Sequence, residues 1–503
     1  MSIRLIILLA ALASSIACQK ELIQGEILIQ GSLVYTGQNE APKRIDIIIE
    51  SDYIKWIGDS NKITAHVDRV IDAQEYVVTP GFIDIHAHGN PLEHPDFSNF
   101  LAMGVTTIAL GMDGSGVPVV ELDSWINEVN ELRTGVNILP FLGHGTERRA
   151  VHQGSGVLKN AELQEMLERM KDGMELGAWG VSFGLEYLPG YYADQKELEG
   201  ISKIVGEYKG LITSHIRNED NDAIEESLME MIELSDHCNV NISHLKVVYG
   251  QGGERANEIL NLIQSRNLKN FKVTADLYPY SASYTGIGIV FPEWAKNPKL
   301  YAQIKKERGD ELAAHLKRRV EQRNGPQATL FGSGPYKGRT LKEVADEFDL
   351  PFEIVLRDII GPYGASAAYF VMNDELQAQL FQSPFVAVAS DGSPTMYHPR
   401  GHGTFAKVLQ EYVLQDSLAS LEEAIHKMTV LPASIVGIEK RGEIAIGQKA
   451  DLLIFKPEEI RNNASFEEPH QLATGMEHVI VNGKIVDLDT GDASRHGKVL
   501  LRK

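Results

Sequence analysis

The chain has 503 residues, 43% of them hydrophobic, which is enough for one large domain and a smaller one. Its formal net charge of −21 at pH 7 argues against nucleic acid or an anionic membrane surface as a partner, because both require a basic surface. Cys18 and Cys238 are its only cysteines, so a disulfide framework is excluded, and Cys238 is expected to be a buried, inert thiol.

The first 18 residues, MSIRLIILLAALASSIAC, contain one basic residue, a short apolar run and then small residues. The run is too short to span a bilayer and is typical of a secretory signal peptide. It ends at Cys18 after Ala17 and so resembles a bacterial lipobox, although Ser15 stands where leucine is preferred. We therefore expect export, either as a lipoprotein anchored to the membrane and facing the periplasm or as a periplasmic protein after plain cleavage.

Both ends of the chain are predicted to be β structure. Residues 26–80 alternate or run apolar between turn residues, and EIAIGQKADLLIFK and EHVIVNGKIVD do the same near the other end. Between them, eight short apolar runs alternate with helical stretches: GFIDIHAH, VTTIALG, NILPFLGHG, AWGVSFGLE, GLITSHI, VNISHLK, FKVTADLYPY and FVAVASDG. This alternation predicts βα units of a parallel sheet, and eight such units close a TIM barrel of the α/β class.

One connection is far longer than a usual βα loop, from Tyr280 to Phe385. It contains helical segments of its own, PKLYAQIKKERGDELAAHLKRRVEQ and LKEVADEFD. We interpret it as a subdomain inserted over the mouth of the barrel.

The stretch FIDIHAHG, residues 82–89, carries two histidines separated by one residue. Alternate side chains of a strand share a face, so His86 and His88 can converge on one metal ion. Barrel active sites lie at the carboxyl ends of the strands, where further ligand types occur. The candidate metal ligands are His86, His88, Glu186, His215, His244 and Asp391. Each alone could be a structural hydrogen-bonding group, but six at one rim favour a metal site.

Several motifs resemble the amidohydrolase superfamily and, within it, the N-acyl-D-amino-acid deacylases (D-aminoacylases). PGFIDIHAH, GVTT and RGEIAIGQKADLLIF are shared across the superfamily. More particular to the deacylase branch are DLYPYSASYTG and HPRGHGTF, accompanied by GHGTERRAV, HIRNE, ISHLK, ASDG, KMTVLPA and VNGKIV. The resemblance covers nearly the whole chain after the signal segment.

This resemblance implies a metal-dependent (β/α)8 TIM barrel over residues 81–437. Residues 19–80 and 438–503 would form the small β-sandwich domain that accompanies such barrels. Residues 285–384, after the seventh strand, would be a lid-like insertion within the barrel domain.

The resemblance also implies one or two zinc ions. His86 and His88 would bind one ion, His215 and His244 the other, while Asp391 would touch the first ion and act as the catalytic base. Well-known members of the family place a cysteine after GVTT as the ligand shared by both metals, where this chain has GMDGSG. We expect Glu186 to be the bridging ligand instead and rank Asp113 second, because an aspartate before glycine can also be a loop residue bonded to backbone.

Hydrolysis of an amide at neutral pH needs an activated water, which a zinc ion supplies by lowering the pKa of water to about 7. Asp391 would take the proton and return it to the leaving amine. His144 could support the oxyanion or be a hydrogen-bonding group behind the site. For the substrate carboxylate, the resemblance favours Lys246, Arg400 and one of Tyr278 or Tyr280, of which we expect Tyr280. Arg217 is a further candidate or an ion-pair partner.

The predicted function is therefore hydrolysis of N-acyl-D-amino acids by a zinc-dependent amidohydrolase, releasing a carboxylate and a free D-amino acid. The rival substrate class is a dipeptide with a C-terminal D-residue, whose ammonium would need an acidic partner. A catalytically dead metal-binding lipoprotein is disfavoured because the histidines and Asp391 are all present, and a dihydroorotase-like enzyme because Glu186 stands where those relatives carry a lysine. The substrate is expected to be a small molecule, and oligomeric state is left open.

Overall fold

The computed structural model describes residues 20–265, 267, 273–488 and 495–503. The predicted signal peptide, residues 1–18 with Cys18, lies outside this part. Across the described ranges, none of the helices is both long and apolar enough to cross a membrane. Cys238 is buried and free, as expected.

Eight short, buried strands with parallel neighbours form the central sheet. In chain order they are β1 (Phe82–Asp84), β2 (Val105–Leu110), β3 (Asn137–Pro140, continued by Leu142–Gly143), β4 (Gly180–Gly184), β5 (Leu211–His215), β6 (Asn239–Ile242), β7 (Val273–Leu277) and β8 (Val386–Val388). Strands covered on both faces are rich in apolar residues in this way. All eight predicted strands are present, and the TIM-barrel prediction is confirmed.

The sheet closes into a barrel just after β1 and β8. Ala87 and Gly392 form a parallel bridge, the amide of His88 donates to the carbonyl of Gly392 (2.7 Å), and the amide of Asp391 donates to the carbonyl of His86 (2.8 Å). This seam places residues from the first and the last strand side by side at the carboxyl end of the barrel.

Helices cover the outside of the barrel. Asn160–Glu175, for example, buries Leu163, Met166, Met170 and Met174, whose three- and four-residue spacing puts them on one face. The helices that follow or surround the strands are Ser98–Ala102, Val119–Leu132, His144–Val151, Asn160–Glu175, Gln195–Glu207, Ile224–Leu234, Gly252–Gln264, Asp374–Phe381, Arg400–Lys407, Leu421–Met428 and Val430–Val436.

The connection between β7 and β8 forms its own layer. An antiparallel sheet of Ala282–Gly286, Ser366–Phe370 and Thr329–Phe331 packs with the helices Tyr301–Gln322, Leu341–Phe348 and Phe352–Ile354 and the π-helical turn Val355–Ile360. The helix Asp374–Phe381 instead packs on the barrel helix Gly252–Gln264. The elements that pack in this layer run from residue 282 to about residue 372, beside the predicted range of 285–384.

Both ends of the chain build two further sheets. One contains Glu21–Gln30, Asp46–Glu50, Tyr53–Gly58 and Ile63–Asp72; the other contains Leu33–Val34, Lys43–Arg44, Val77–Pro80, Leu452–Phe455, Met476–Val481 and Lys484–Val486. They share an apolar core that includes Ile29, Ile47, Val78, Leu452 and Ile480.

The last residues depart from the predicted 438–503 boundary. Val499 bridges Ile138 of β3, and the indole nitrogen of Trp179 donates to the carbonyl of Leu500 (2.6 Å). The tail thus lies against the barrel because its backbone bonds to residues beside β3 and β4.

Candidate active site

The candidate ligands meet at the carboxyl end of the barrel. His86 and His88 follow β1, Asp113 follows β2, His215 ends β5, and His244 and Asp391 follow β6 and β8. Asp113, His244 and Asp391 have positive φ angles of 54°, 37° and 49°. Residues other than glycine rarely adopt this left-handed backbone conformation, because it is sterically strained. Strained backbone of this kind concentrates at functional sites.

The first group of donors consists of His86, His88, Asp113 and Asp391. Asp391 Oδ1 lies 3.0 Å from His88 Nε2 and 3.7 Å from His86 Nε2. Asp113 Oδ1 lies 3.4 Å from His86 Nε2, and its Oδ2 lies 3.5 Å from His88 Nε2. Four donors at these separations can surround one cation.

The second group consists of Asp113, His215 and His244. Nδ1 of His215 and Nε2 of His244 are 2.9 Å apart, and Asp113 Oδ1 lies 3.5 Å from the same His244 nitrogen. Asp113 therefore belongs to both groups and stands between the two histidine pairs.

Buried donor atoms without hydrogen-bond partners indicate that this cluster can hold a metal ion. Nε2 of His86 and Oδ1 of Asp113 are buried, face each other, and find no hydrogen-bond partner among the described residues. Leaving such atoms buried without a partner is costly, whereas a cation between them satisfies both. Burial opposes ionisation of Asp113, but His86 and His244 hold its pKa well below the ordinary range, so the carboxylate is charged and able to coordinate.

Glu186, expected to bridge the metals, lies in a different place. Its Oε2 contacts Nε2 of His215 at 2.9 Å, on the far side of the ring from the nitrogen that faces His244. Its candidate group contains His215 and Glu219, and neither His86 nor His88. The expectation needs correction: Asp113, whose left-handed backbone turns its carboxylate inward, occupies the shared position, and Glu186 orients a histidine.

Carboxylates stand behind other ligands in the same manner. Glu219 Oε1 lies 3.2 Å from Nδ1 of His244, a nitrogen that Lys246 Nζ also contacts at 2.8 Å. Asp276 Oδ1 lies 3.6 Å from Nδ1 of His86, beyond hydrogen-bond distance. A carboxylate on the second ring nitrogen fixes the tautomer and orientation of a metal-binding histidine. The arrangement therefore leaves the inner nitrogens free to bind a cation.

A narrow polar pocket extends from the donors, and Lys246 and Arg400 both line it. Lys246 Nζ donates to Glu219 (2.6 Å), and Arg400 Nη1 pairs with Asp391 Oδ2 (2.9 Å). Tyr278 lies between them, with Lys246 Nζ 6.0 Å and the Arg400 guanidinium carbon 4.6 Å from its ring centre. The structure thus brings together two of the three expected carboxylate-binding residues, with Tyr278 as the tyrosine.

Tyr280, which we expected to bind the substrate carboxylate, points elsewhere. The amide of Tyr280 donates to the carbonyl of Tyr278 (3.0 Å), a three-residue turn that ends the extended backbone after β7. The Tyr280 ring packs against His398 and Phe466, and its hydroxyl donates to the carbonyl of Pro399 (3.5 Å). The two-residue spacing would place Tyr280 on the same face as Tyr278 only in a continuous strand, and the turn ends the strand between them.

The two further candidates, Arg217 and His144, form ion pairs or hydrogen bonds with carboxylates outside the pocket. Arg217 donates to Glu230 from Nε and Nη2, and to the carbonyls of Tyr191 and Ala193. His144 is fully buried, and its Nε2 bonds Glu197 (2.7 Å), which also accepts from Arg148 (2.9 Å). Neither Arg217 nor His144 lines the pocket that holds the ligand groups.

Several pocket residues escaped the sequence analysis, among them Tyr187, Ser283 and Arg323. The Tyr187 ring lies 4.5 Å from that of His215, and burial, reinforced by Asp113 and Glu186, raises the pKa of its phenol well above 10. Ser283 Oγ is buried and unbonded within the described ranges. Only the position of Tyr187 beside Glu186, at the end of a predicted strand, could have pointed to it.

A second, wider cleft of about 340 Å³ opens on the other side of the donors. Its wall includes Arg149, Leu188 and Met396, and six of its residues also line the narrow pocket: Asp113, Tyr187, Tyr284, Thr285, Asp391 and Arg400. The donor cluster therefore lies where two compartments meet, which suits a bond whose two halves lie on opposite sides of it.

Comparison with known proteins agrees with this geometry. Residues 382–487 match the model of the Amidohydrolase family. The chain is 30% identical to N-acyl-D-glutamate deacylase of Alcaligenes xylosoxydans xylosoxydans, over 95% of this chain and 96% of the relative.

Two solved structures share the fold along nearly all of the chain. N-acyl-D-glutamate deacylase from Bordetella bronchiseptica, complexed with zinc and a phosphonate inhibitor, is 27% identical with a TM-score of 0.83, over 96% of this chain and 100% of that one. A D-aminoacylase described as having a binuclear metal centre is 27% identical with a TM-score of 0.81, over 95% of this chain and 100% of that one. The chain is a metal-dependent hydrolase and belongs to the N-acyl-D-amino-acid deacylase (D-aminoacylase) family of amidohydrolases.

Proposed function

We propose that this protein hydrolyses the amide bond of N-acyl-D-amino acids, releasing a carboxylate and a free D-amino acid. The observation that carries the proposal is the position of Asp391, which contacts His88 of the donor cluster and Arg400 of the narrow pocket and lines both compartments. A general base there can reach a scissile bond whose amino-acid half lies in the pocket. The named relatives act on substrates of this class by their descriptions, and the D configuration is inferred from them.

The cofactor we propose is zinc, as one or two ions. His86, His88 and Asp391 would hold one ion, His215 and His244 the other, and Asp113 would touch both; imidazole and carboxylate donors suit zinc. When bound, the metal supplies an acidified water and polarises the amide carbonyl. Glu186 and Glu219 would hold His215 and His244 in orientation.

Asp391 moves the proton in this proposal. Burial alone would raise the pKa of Asp391, but Arg400 and His86 hold it well below its ordinary value, so Asp391 stays a carboxylate at neutral pH. It accepts a proton from the attacking water as the new carbon–oxygen bond forms. It then gives that proton to the amide nitrogen as the carbon–nitrogen bond breaks, because an amine leaves poorly unless it is protonated.

We assign oxyanion support to Tyr187 and not to His144. Its hydroxyl accepts from Thr285 Oγ1 (3.3 Å), which leaves its own proton free to donate. Because the raised pKa keeps the phenol protonated, Tyr187 can stabilise the oxygen on which negative charge develops.

The substrate α-carboxylate is proposed to bind Arg400, Tyr278, Ser283 and Lys246. Arg400 and Lys246 supply positive charge, while the hydroxyls of Tyr278 and Ser283, which line the same pocket, supply hydrogen bonds. The acyl group would lie in the wider cleft beside Leu188 and Met396.

The test is amine release from paired N-acetyl-D- and N-acetyl-L-amino acids by the purified, zinc-loaded protein, with alanyl-D-amino-acid dipeptides in parallel. Release from the D-substrates, abolished in Asp391→Asn, supports the proposal. Release from dipeptides alone moves the function to a dipeptidase acting on C-terminal D-residues. Release from none of them, with zinc bound, refutes the substrate class.

Two further features complete the proposal. The end sheets act as a β-sandwich domain, and the inserted layer acts as a lid, since Tyr284, Thr285 and Ile289 belong to the pocket wall. Export with lipidation at Cys18 rests on residues 1–18 alone. Metabolic labelling with palmitate in a bacterial host, with Cys18→Ser as the unlabelled control, tests the anchor.

A further inference from the structure

The basic side chains at the far end of the narrow pocket are not all neutralised by acidic neighbours. Lys246 pairs with Glu219 at 2.6 Å, Arg319 with Asp220 at 2.5 Å, and Arg400 with Asp391 at 2.9 Å. The two acids at this end, Glu219 and Asp220, are thereby already engaged. Arg323, which also lines the pocket, forms no ion pair with any residue that the structure describes.

Arg323 follows directly on the inserted helix Tyr301–Gln322 and is only 2% exposed. Its guanidinium carbon lies 4.7 Å from the centre of the Tyr369 ring, and Nη1 makes one long hydrogen bond, 3.5 Å, to the hydroxyl of Tyr249. Its Nε is buried without a partner in the described part of the chain. A buried guanidinium left this way is costly and is compensated when an anion enters the pocket.

The surroundings indicate which part of a substrate would carry that anion. Arg323 lines the same pocket as Lys246, Tyr278, Ser283 and Arg400, the residues proposed to bind the α-carboxylate, and it does not line the wider cleft assigned to the acyl group. Val248 and Ile289 line the pocket as well and offer apolar contact for methylene groups. An anion that reaches Arg323 therefore belongs to the side chain of the amino-acid half.

We propose that Arg323 binds the side-chain carboxylate of the substrate and makes the enzyme selective for N-acyl derivatives of acidic D-amino acids, D-glutamate or D-aspartate. This inference rests on the proposed function and specifies its substrate. A guanidinium meets a carboxylate through two parallel hydrogen bonds, whereas the neutral amide of glutamine or asparagine lacks the charge that Arg323 requires.

The experiment compares kcat/KM for N-acetyl-D-glutamate and N-acetyl-D-glutamine, with the aspartate and asparagine pair in parallel, using the zinc-loaded full chain. These pairs have nearly the same shape and differ in charge. In at least one of the two pairs, the kcat/KM of the wild-type protein for the acid should exceed that for the amide by roughly 100-fold, as expected for a desolvated charge pair. In Arg323→Met the acid-to-amide ratio should fall to near one, and Arg323→Lys should retain part of it.

Loss of folded protein lowers the apparent kcat/KM for acid and amide by the same factor. Partial unfolding of Arg323→Met therefore leaves the acid-to-amide ratio unchanged and does not imitate the expected loss of selectivity. Arg318→Met is the matched control, since Arg318 lies exposed on the helix that precedes Arg323 and does not line the pocket. Its acid-to-amide ratio should equal that of the wild type. Calorimetric titration with D-glutamate and D-glutamine gives the same comparison without turnover.

Hydrolysis of both members of each pair with equal kcat/KM, or an unchanged ratio in Arg323→Met, would overturn the inference and leave the proposed function standing. Failure to hydrolyse any N-acetyl-D-amino acid, neutral or acidic, would overturn the proposed function and this inference with it.

Discussion

Replacing Asp113 by asparagine tests the central feature of the metal site. Asp113 is the only donor, among the described residues, that groups with both histidine pairs, and asparagine keeps its shape while removing its charge. We expect Asp113→Asn to weaken both ion positions. Glu186→Gln, by contrast, keeps a hydrogen-bonding group at Nε2 of His215 and should affect one position modestly.

The magnitude follows from the distances. Oxygens of Asp113 lie 3.4 to 3.5 Å from nitrogens of His86, His88 and His244, so the charge is close to any cation held by those rings. With an effective dielectric constant of about 20, opposite unit charges about 3.5 Å apart attract by about 5 kcal/mol, equivalent to over three orders of magnitude in affinity. Loss of a carboxylate behind a ligand histidine typically costs roughly 10- to 100-fold.

The assay is zinc content by mass spectrometry after equilibration against graded chelator, together with calorimetric titration of the metal-free proteins. Asp113→Asn should lose zinc at chelator concentrations about 1000-fold below those that strip the wild type, with Glu186→Gln in between. If Asp113→Asn binds zinc like the wild type while Glu186→Gln loses an ion, Glu186 is the shared ligand and the geometric reasoning fails.

Three further outcomes are expected. Tyr278→Phe should lower kcat/KM for the preferred N-acyl-D-amino acid by roughly 10-fold, the worth of a hydrogen bond to a charged group, while Tyr280→Phe changes it little in steady-state assays; equal effects would contradict the assignment. Glu197→Ala leaves the fully buried Arg148 without its carboxylate and should lower the free energy of unfolding by about 3–5 kcal/mol in urea titrations, whereas an unchanged midpoint would show that this pair is dispensable. Burial lowers the pKa of Lys427 to about 8, below its value of about 10.4 in unfolded chains, so the unfolded state binds more protons between these values and stability rises with pH through that window. The unfolding free energy of the wild type relative to Lys427→Met should therefore increase by about 2 kcal/mol from pH 7.5 to 9.5, and a flat difference would refute the shifted pKa.

The residues found from the sequence are those attached to strand ends. His86, His88, His215, His244 and Asp391 each follow a short apolar run, and the barrel brings the carboxyl ends of such runs to one rim whatever their separation along the chain. The eight strands were predictable for the same reason, since buried parallel strands leave continuous apolar runs in the sequence.

What the sequence did not reveal depends on backbone that leaves regular structure. Asp113 turns inward from a loop in a left-handed conformation, which composition does not encode. Tyr280 departs from the face of Tyr278 because of a single three-residue turn. Arg323 comes from the inserted layer, whose position over the pocket is set by packing between segments far apart in sequence.

The seam of the barrel also bears on how the molecule is assembled. His88 and Asp391 are 303 residues apart in the chain and meet only where the first strand is joined to the last. During synthesis the half-site around His86 and His88 thus stays incomplete until the segment after β8 has emerged and docked. An ion held between these residues would tie the two borders of the sheet together, and, because its ligands meet only in the closed form, it would stabilise closure. Such a cation would serve as a reversible crosslink of the fold, independently of its part in the proposed reaction.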